Sequence, residues 1–220
     1  MINISISNKI KEKCPEVAIA CIKAKVKVSD SSEKLWEEIN DESQKFINKL
    51  ELKDVLEIEN IKASRKAYKM LGKDPSKYRL SSESLIRRLV KGLELYKVNN
   101  IVDINNLISL RTANSVGTYD IDNIGASISF TVGDIGENYE GIGRGSINLE
   151  NLPVFEDEKG KFGSTTSDSR RAMITEDTNY ILMNIISFNG SEKLDTYIKD
   201  AVNLLEKYAS GEEIEYKIIQ

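Results

Sequence analysis

Leu71-Gly72-Lys73-Asp74-Pro75-Ser76-Lys77-Tyr78-Arg79 leads into Ser81, Glu83 and Leu85-Ile86-Arg87-Arg88, and then into Val102-Asp103-Ile104-Asn105-Asn106. Between residues 62 and 97 lie eleven Lys and Arg against three acids, a local net of +8 in a chain whose net charge is −4. A sign asymmetry of this size marks a candidate docking surface for a polyanion. Among its eleven cations the binding candidates are Arg65, Lys66, Lys69, Lys77, Arg79, Arg87 and Arg88. The same charges also suit a pair of amphipathic helices with solvated basic faces. Because the whole chain is acidic, nucleic-acid binding here has to be local and oriented rather than indiscriminate.

The order of these short motifs resembles the tRNA-binding and editing region formed by the third and fourth modules of the phenylalanyl-tRNA synthetase β subunit. It is more similar still to stand-alone proteins made of that region alone. The similarity runs through Tyr119-Asp120-Ile121-Asp122-Asn123-Ile124 and more loosely to Phe188, about residues 60–190. The resemblance implies one domain over 1–220, with residues 1–55 adding strand and helix elements to the same globule.

Local patterns intermix helix and strand, which gives an α+β class. The resemblance adds a sheet-rich core of unusual topology, flanked by amphipathic helices. Residues 2–6 and 17–28 alternate as strands, the second with Ala18, Ala20, Ile22, Ala24, Val26 and Val28 on one face. Ser31 or Ser32 caps a helix carrying Leu35, Trp36, Ile39, Phe46, Ile47 and Leu50, with Trp36 as a core anchor. A second helix runs from about Asp54 to Leu71 and stops at Gly72. Ser81 is read as the cap of a third, with Glu83 in its first turn to suit the helix dipole. Ile101, Ile104, Leu107 and Ile108 follow helical spacing, which places Asp103 and Asn106 one turn apart and facing a common pocket. From Gly125 the pattern becomes β, with a hairpin over 154–162, strands over 179–188 and 214–219, and an amphipathic helix between the last two. The glycines between 133 and 145 match neither a phosphate loop nor a dinucleotide fingerprint.

The chain has no histidine, which removes imidazole general bases, Ser-His-Asp and Cys-His catalysis and histidine-ligated zinc. Cys14 and Cys21 are too few for a disulfide framework, and Cys21 sits in an apolar strand as a buried reduced thiol. No metal or cofactor is expected. Nothing approaches the ~20 apolar residues of a membrane span. Ile2 to Ile6 alternates without a signal-peptide pattern, so a cytoplasmic location is expected.

The resemblance also implies site residues. Asn106 matches an asparagine lining the amino-acid pocket, and Tyr119, Asp120 and Asp122 match an element closing its rim. That pocket is expected between the 101–110 helix and the sheet starting at Ser127. A family histidine falls at Gly117, and a glutamate that reads the substrate tyrosine hydroxyl falls near Arg170. Ser167-Asp168-Ser169-Arg170-Arg171 resembles an Arg-Asp-Ser-x-Arg-Thr element of the stand-alone proteins. Asp168 is then the candidate to orient a water, and Arg171 to bind an anion or stabilise an oxyanion. The alternative for this segment is a salt-bridged turn before a strand.

Three functions follow. The first is a domain that binds an aminoacyl-tRNA acceptor end and hydrolyses a mischarged ester in trans. The second is a non-catalytic module that docks tRNA or a synthetase. The third is a sensor for an amino-acid-like ligand. A DNA or membrane partner is not expected.

Overall fold

Tyr180–Ser187 explains the architecture: it is buried along nearly its whole length on both faces, as only a strand inside a layered structure can be. The computed structural model describes residues 2–47 and 49–220. In chain order the elements are β1 (Asn3–Ile6), α1 (Asn8–Lys11), β2 (Ala18–Lys25), α2 (Glu33–Ser43), α3 (Glu59–Leu71), α4 (Ser81–Val90) and α5 (Asn100–Thr112). There follow β3 (Ser115–Asp120), β4 (Ser127–Val132), β5 (Asn138–Gly141), β6 (Gly145–Asn148), β7 (Pro153–Asp157), β8 (Gly160–Ser164), β9 (Tyr180–Ser187), α6 (Leu194–Ala209) and β10 (Glu212–Ile219). Single 3-10 turns lie at Asp54–Glu57, Ile121–Asn123 and Arg170–Ala172. The fold is α+β.

One antiparallel sheet has the order β10-β2-β9-β3; the other has the order β1-β4-β7-β8, with β1 parallel to β4. A separate hairpin pairs β5 with β6. The first sheet is the middle layer. Ala18, Ala20, Ile22 and Ala24 on one face of β2, with Ile181, Met183 and Ile185 of β9, pack against α2, α5 and α6. The small alanines let the helices sit close to β2. The opposite face, with Ile19, Cys21, Tyr119, Leu182 and Ile186, meets Ile4, Ile128, Phe130, Phe155 and Phe162 of the other sheet. Tyr119 and Phe162 are edge-on at 4.9 Å, and Phe130 and Phe155 are 4.7 Å apart. Such pairs add about 1 kcal/mol each beyond the area they bury.

A third apolar cluster joins Ile61, Tyr68, Leu80, Ile86 and Leu89 to Ile147, Leu149, Leu152 and Val154. It fastens α3 and α4 onto the β5–β6 hairpin and the start of β7, and so determines where the basic segment lies.

Local signals explain most boundaries. The Ser32 hydroxyl accepts from the Leu35 N–H at the start of α2. Gly72 closes α3 at φ 95°, a left-handed conformation suited to glycine. Beyond the second helix, which starts at Glu59 with only a separate 3-10 turn over Asp54–Glu57 before it, three expectations need correction. The α2 helix ends at Ser43, so Phe46 and Ile47 pack from a turn into the third cluster. Ser81 is the first residue of α4 rather than its cap, and Leu80 occupies the cap position. The third is β3, which the sequence reading did not register as a strand: Ser-Val-Gly-Thr-Tyr-Asp is poor in apolar residues, and its pairing with β9 makes it a strand.

Candidate functional site

Lys77, Tyr78 and Arg79, on the turn between α3 and α4, face Ser84, Arg87, Arg88 and Lys91 of α4 and its end. Across from them stand Arg144, Ser146, Ile147 and Asn148 of the β5–β6 hairpin, with Thr166 and Ser167 from the turn after β8. These residues enclose a cleft of about 540 Å³. Six cations line it and no carboxylate does. In an acidic chain this concentrates positive potential in one concave place, where low-dielectric walls focus it toward an anion.

The cations differ in how firmly they are already engaged. Arg65 is bound to Glu83 at 2.9 Å and to the Pro75 carbonyl at 3.1 Å, and it does not reach the cleft. Arg87 donates to the Leu52 carbonyl at 3.2 Å and lies 3.8 Å from the same Glu83. Glu83 sits in the first turn of α4, as expected, and is also a buried counter-charge that fixes two arginines. Lys73, also buried, donates to the Asn148 and Glu150 carbonyls and lies 3.7 Å over the Tyr78 ring. Burial lowers its pKa, with the Glu150 charge opposing that shift. It staples the basic segment to the hairpin. Lys77, Arg79, Lys91 and Arg144 are exposed, with no ion pair or side-chain hydrogen bond among the described residues. Their charges are left uncompensated by any protein partner among the described residues. Lys66 and Lys69 are exposed on α3 but do not line the cleft.

The turn behind Thr166 and Ser167 is held by hydroxyls. The Ser164 hydroxyl donates to the Ser167 carbonyl at 2.7 Å and accepts from the Thr166 and Ser167 N–H groups. Tyr139 donates to the same Ser167 carbonyl, and the Tyr68 hydroxyl is bonded to Thr165 and Thr166. This side of the cleft is preorganised.

The B3/4 domain family matches residues 63–213, more than half of the sequence. The chain belongs to the B3/4 domain family. Domains of this family are found in the phenylalanyl-tRNA synthetase β subunit. Over 99% of its length the chain is also similar, at 12% identity and a TM-score of 0.46, to the crystal structure of an N-terminal fragment of the phenylalanyl-tRNA synthetase β subunit from Pyrococcus horikoshii. It spans 50% of that chain. Comparison with curated proteins finds no match. Among the described residues, no helix is long and apolar enough to cross a membrane.

The pocket expected for a B3/4 chain between the α5 helix and the sheet of β4 is not formed there. The β10-β2-β9-β3 sheet separates the two, with α5 on one face and β4 on the other. Asn106 is half-buried on α5 and makes no side-chain hydrogen bond among the described residues. Its neighbour Asn105 accepts from the Thr118 hydroxyl at 2.9 Å. Asp103 does not share a pocket with Asn106. It accepts from the Trp36 indole N–H at 3.0 Å and from Ser31, which ties α2 to α5. Asp120 is buried and caps the 121–123 turn through the Asp122 N–H, while accepting from the Thr178 hydroxyl at 2.7 Å. Asp122 itself is exposed.

Tyr119 points into the core between the sheets and donates to Asp168 at 2.9 Å. A Cβ at Gly117 or at Gly163 would come within 2.2 Å of the Tyr119 hydroxyl oxygen. The phenol thus occupies the space that a side chain at 117 would take. Asp168 also accepts from the Ser164 N–H at 3.0 Å. Burial pushes its carboxyl up to about 6, against the opposing effect of those two hydrogen bonds.

Arg171 does not join Asp168. Its two terminal nitrogens donate to both Asp157 oxygens at 2.9 Å, and to the Asn123 and Gly160 carbonyls at 3.1 and 2.8 Å. That uses all four terminal N–H groups of the guanidinium and leaves only Nε–H, so the two-pronged fork that would grip an oxyanion is already taken. The salt-bridged turn, the alternative reading of this segment, describes Arg171. Sequence reasoning counted Lys91 in the basic segment but missed Arg144, Ser146 and Asn148 as lining residues. The glycines flanking Arg144 signal only a tight turn, and no motif links that turn to a helix some fifty residues earlier.

Proposed function

We propose that this B3/4 chain is a tRNA-binding module that takes the acceptor end of an aminoacyl-tRNA into the cationic cleft. The observation that carries the reading is the cleft itself, with six cations, four of them free, and hydroxyls on three sides. Phosphate neutralisation supplies most of the affinity of such a surface and makes it salt-dependent. A volume of about 540 Å³ is in the range of a small-molecule site and suits one or two unpaired nucleotides rather than a duplex. No carboxylate lines the cleft, and the two candidate catalytic residues are held in separate networks outside it. Binding without ester hydrolysis is therefore the reading this geometry favours over deacylation in trans.

The test is tRNA affinity measured across a salt series for the wild type and for Arg79→Ala/Arg144→Ala. These exposed side chains have no partners to lose, so folding should be kept. The double variant is expected to bind more weakly at every salt concentration, with its log–log salt slope reduced by about 0.7 for each phosphate contact removed. Unchanged affinity and slope would refute the cleft as the RNA site. Charged tRNA incubated with the wild type should keep its amino acid. Release above the protein-free rate would restore the deacylase reading. Arg87→Glu is unsuited to this purpose, because it would put a second acid beside buried Glu83.

A further inference from the structure

Leu93, Tyr96 and Val98 are 48%, 70% and 57% exposed, three large apolar side chains within six residues of the strap that follows α4. Isolated exposed apolar residues are ordinary, but a cluster beside a charged cleft marks a contact surface. Leu93 lines the cleft, and Leu95 anchors the strap by packing on the apolar core. Tyr96 is turned outward. The Arg88 guanidinium lies 4.1 Å from its ring centroid, within cation–π range. Arg88 also donates through Nε to the Glu94 carbonyl at 2.5 Å, and it lines the cleft. One arginine thus holds the strap backbone, supports one face of the ring and borders the phosphate site. The ring stacks on no other ring among the described residues, and with 70% of the residue exposed the face away from Arg88 is accessible.

We propose that Tyr96 is a base-stacking platform at the mouth of the cleft, receiving an unpaired base of single-stranded RNA whose backbone phosphates lie on Lys77, Arg79, Lys91 and Arg144. This rests on the RNA reading given above and adds a residue that recognises the base rather than the phosphate. A positive groove tracking the backbone beside an aromatic ring is the arrangement that binds single strands with little sequence preference. The ring is held in place before the RNA arrives, which reduces the ordering cost of binding.

The experiment uses the full chain and two RNA hairpins, one with a four-nucleotide unpaired 3′ overhang and one whose overhang is abasic. Wild type, Tyr96→Ala and Tyr96→Phe are titrated by fluorescence anisotropy at several salt concentrations, with melting curves confirming that each is folded. Tyr96→Ala is expected to weaken binding of the base-bearing overhang roughly five- to a hundredfold, with the salt slope unchanged. Tyr96→Phe, which keeps the ring, should bind like the wild type. On the abasic overhang all three should bind alike. Equal affinity of wild type and Tyr96→Ala for the base-bearing hairpin, or an equal loss on both hairpins, would overturn the stacking role and leave the RNA reading standing. Failure of the wild type to bind either hairpin at low salt would overturn both.

Discussion

Asp157→Ala is expected to destabilise the protein by about 3 kcal/mol at pH 7, the lower end of the range for breaking a buried ion pair. The Asp157 side chain is 0% exposed, and its carboxylate accepts from both arms of Arg171 and from the Gly125 and Lys159 N–H groups. Arg171 retains 28% exposure, so water can compensate part of its loss, hence the lower end. A change of this size in a chain of 220 residues lowers Tm by about 6–12 °C. Burial on its own would raise the Asp157 carboxyl. The Arg171 fork and the two N–H donors outweigh burial and hold it below the ordinary range. Its stabilising contribution is therefore present above the usual carboxylate pKa and is lost as pH falls through the lowered one. Urea unfolding at pH 7 of Asp157→Ala, with exposed Lys53→Ala as control, checks this. A loss below about 1 kcal/mol would show the pair to be incidental. If the expected loss is found, reduced function in Arg171 variants reports a weakened fold and says nothing of catalysis.

Asp168→Asn is expected to act in the opposite pH direction. Burial raises the Asp168 carboxyl from 3.8 to about 6, so between these values the unfolded chain releases a proton that the folded chain keeps. Stability attributable to this group is full below pH 4 and declines as pH rises through 6, by about 3 kcal/mol in all. The asparagine Oδ1 can still accept from Tyr119 and Ser164, but the variant has no proton to release. Relative to the wild type, Asp168→Asn should gain about 2 kcal/mol between pH 4 and pH 7.5, the part of the full change that lies in this window, whatever the fixed cost of its amide. Paired denaturation curves at the two pH values measure this, and a difference that does not change with pH would show that the Asp168 carboxyl titrates near its ordinary value.

These opposite carboxylates show where a linear reading reaches its limit. Asp168 and Arg171 are three residues apart and were read as partners in one site. The turn at Arg170–Ala172 sends the arginine to Asp157, across the β7–β8 hairpin, while Asp168 reaches Tyr119 in the inter-sheet core. Both are satisfied, and neither touches the cleft. Tyr119, expected on a pocket rim, is instead a core ring seated against two glycines.

The sequence by itself determined the α+β class, the family, a serine cap at 31 or 32, the Gly72 stop and the position of the positive charge. Each depends on periodicity, on one residue's backbone freedom or on charge summed over a short stretch, all of which are local. Only the tertiary structure decided which cations are free and what stands opposite them. Arg65 and Arg87 share the one charge of Glu83, Lys73 is buried, and Arg144 is brought across by the apolar cluster joining α3 and α4 to the hairpin. Coulomb interactions and burial depend on distances through space, and those distances are fixed by packing between segments far apart in the chain.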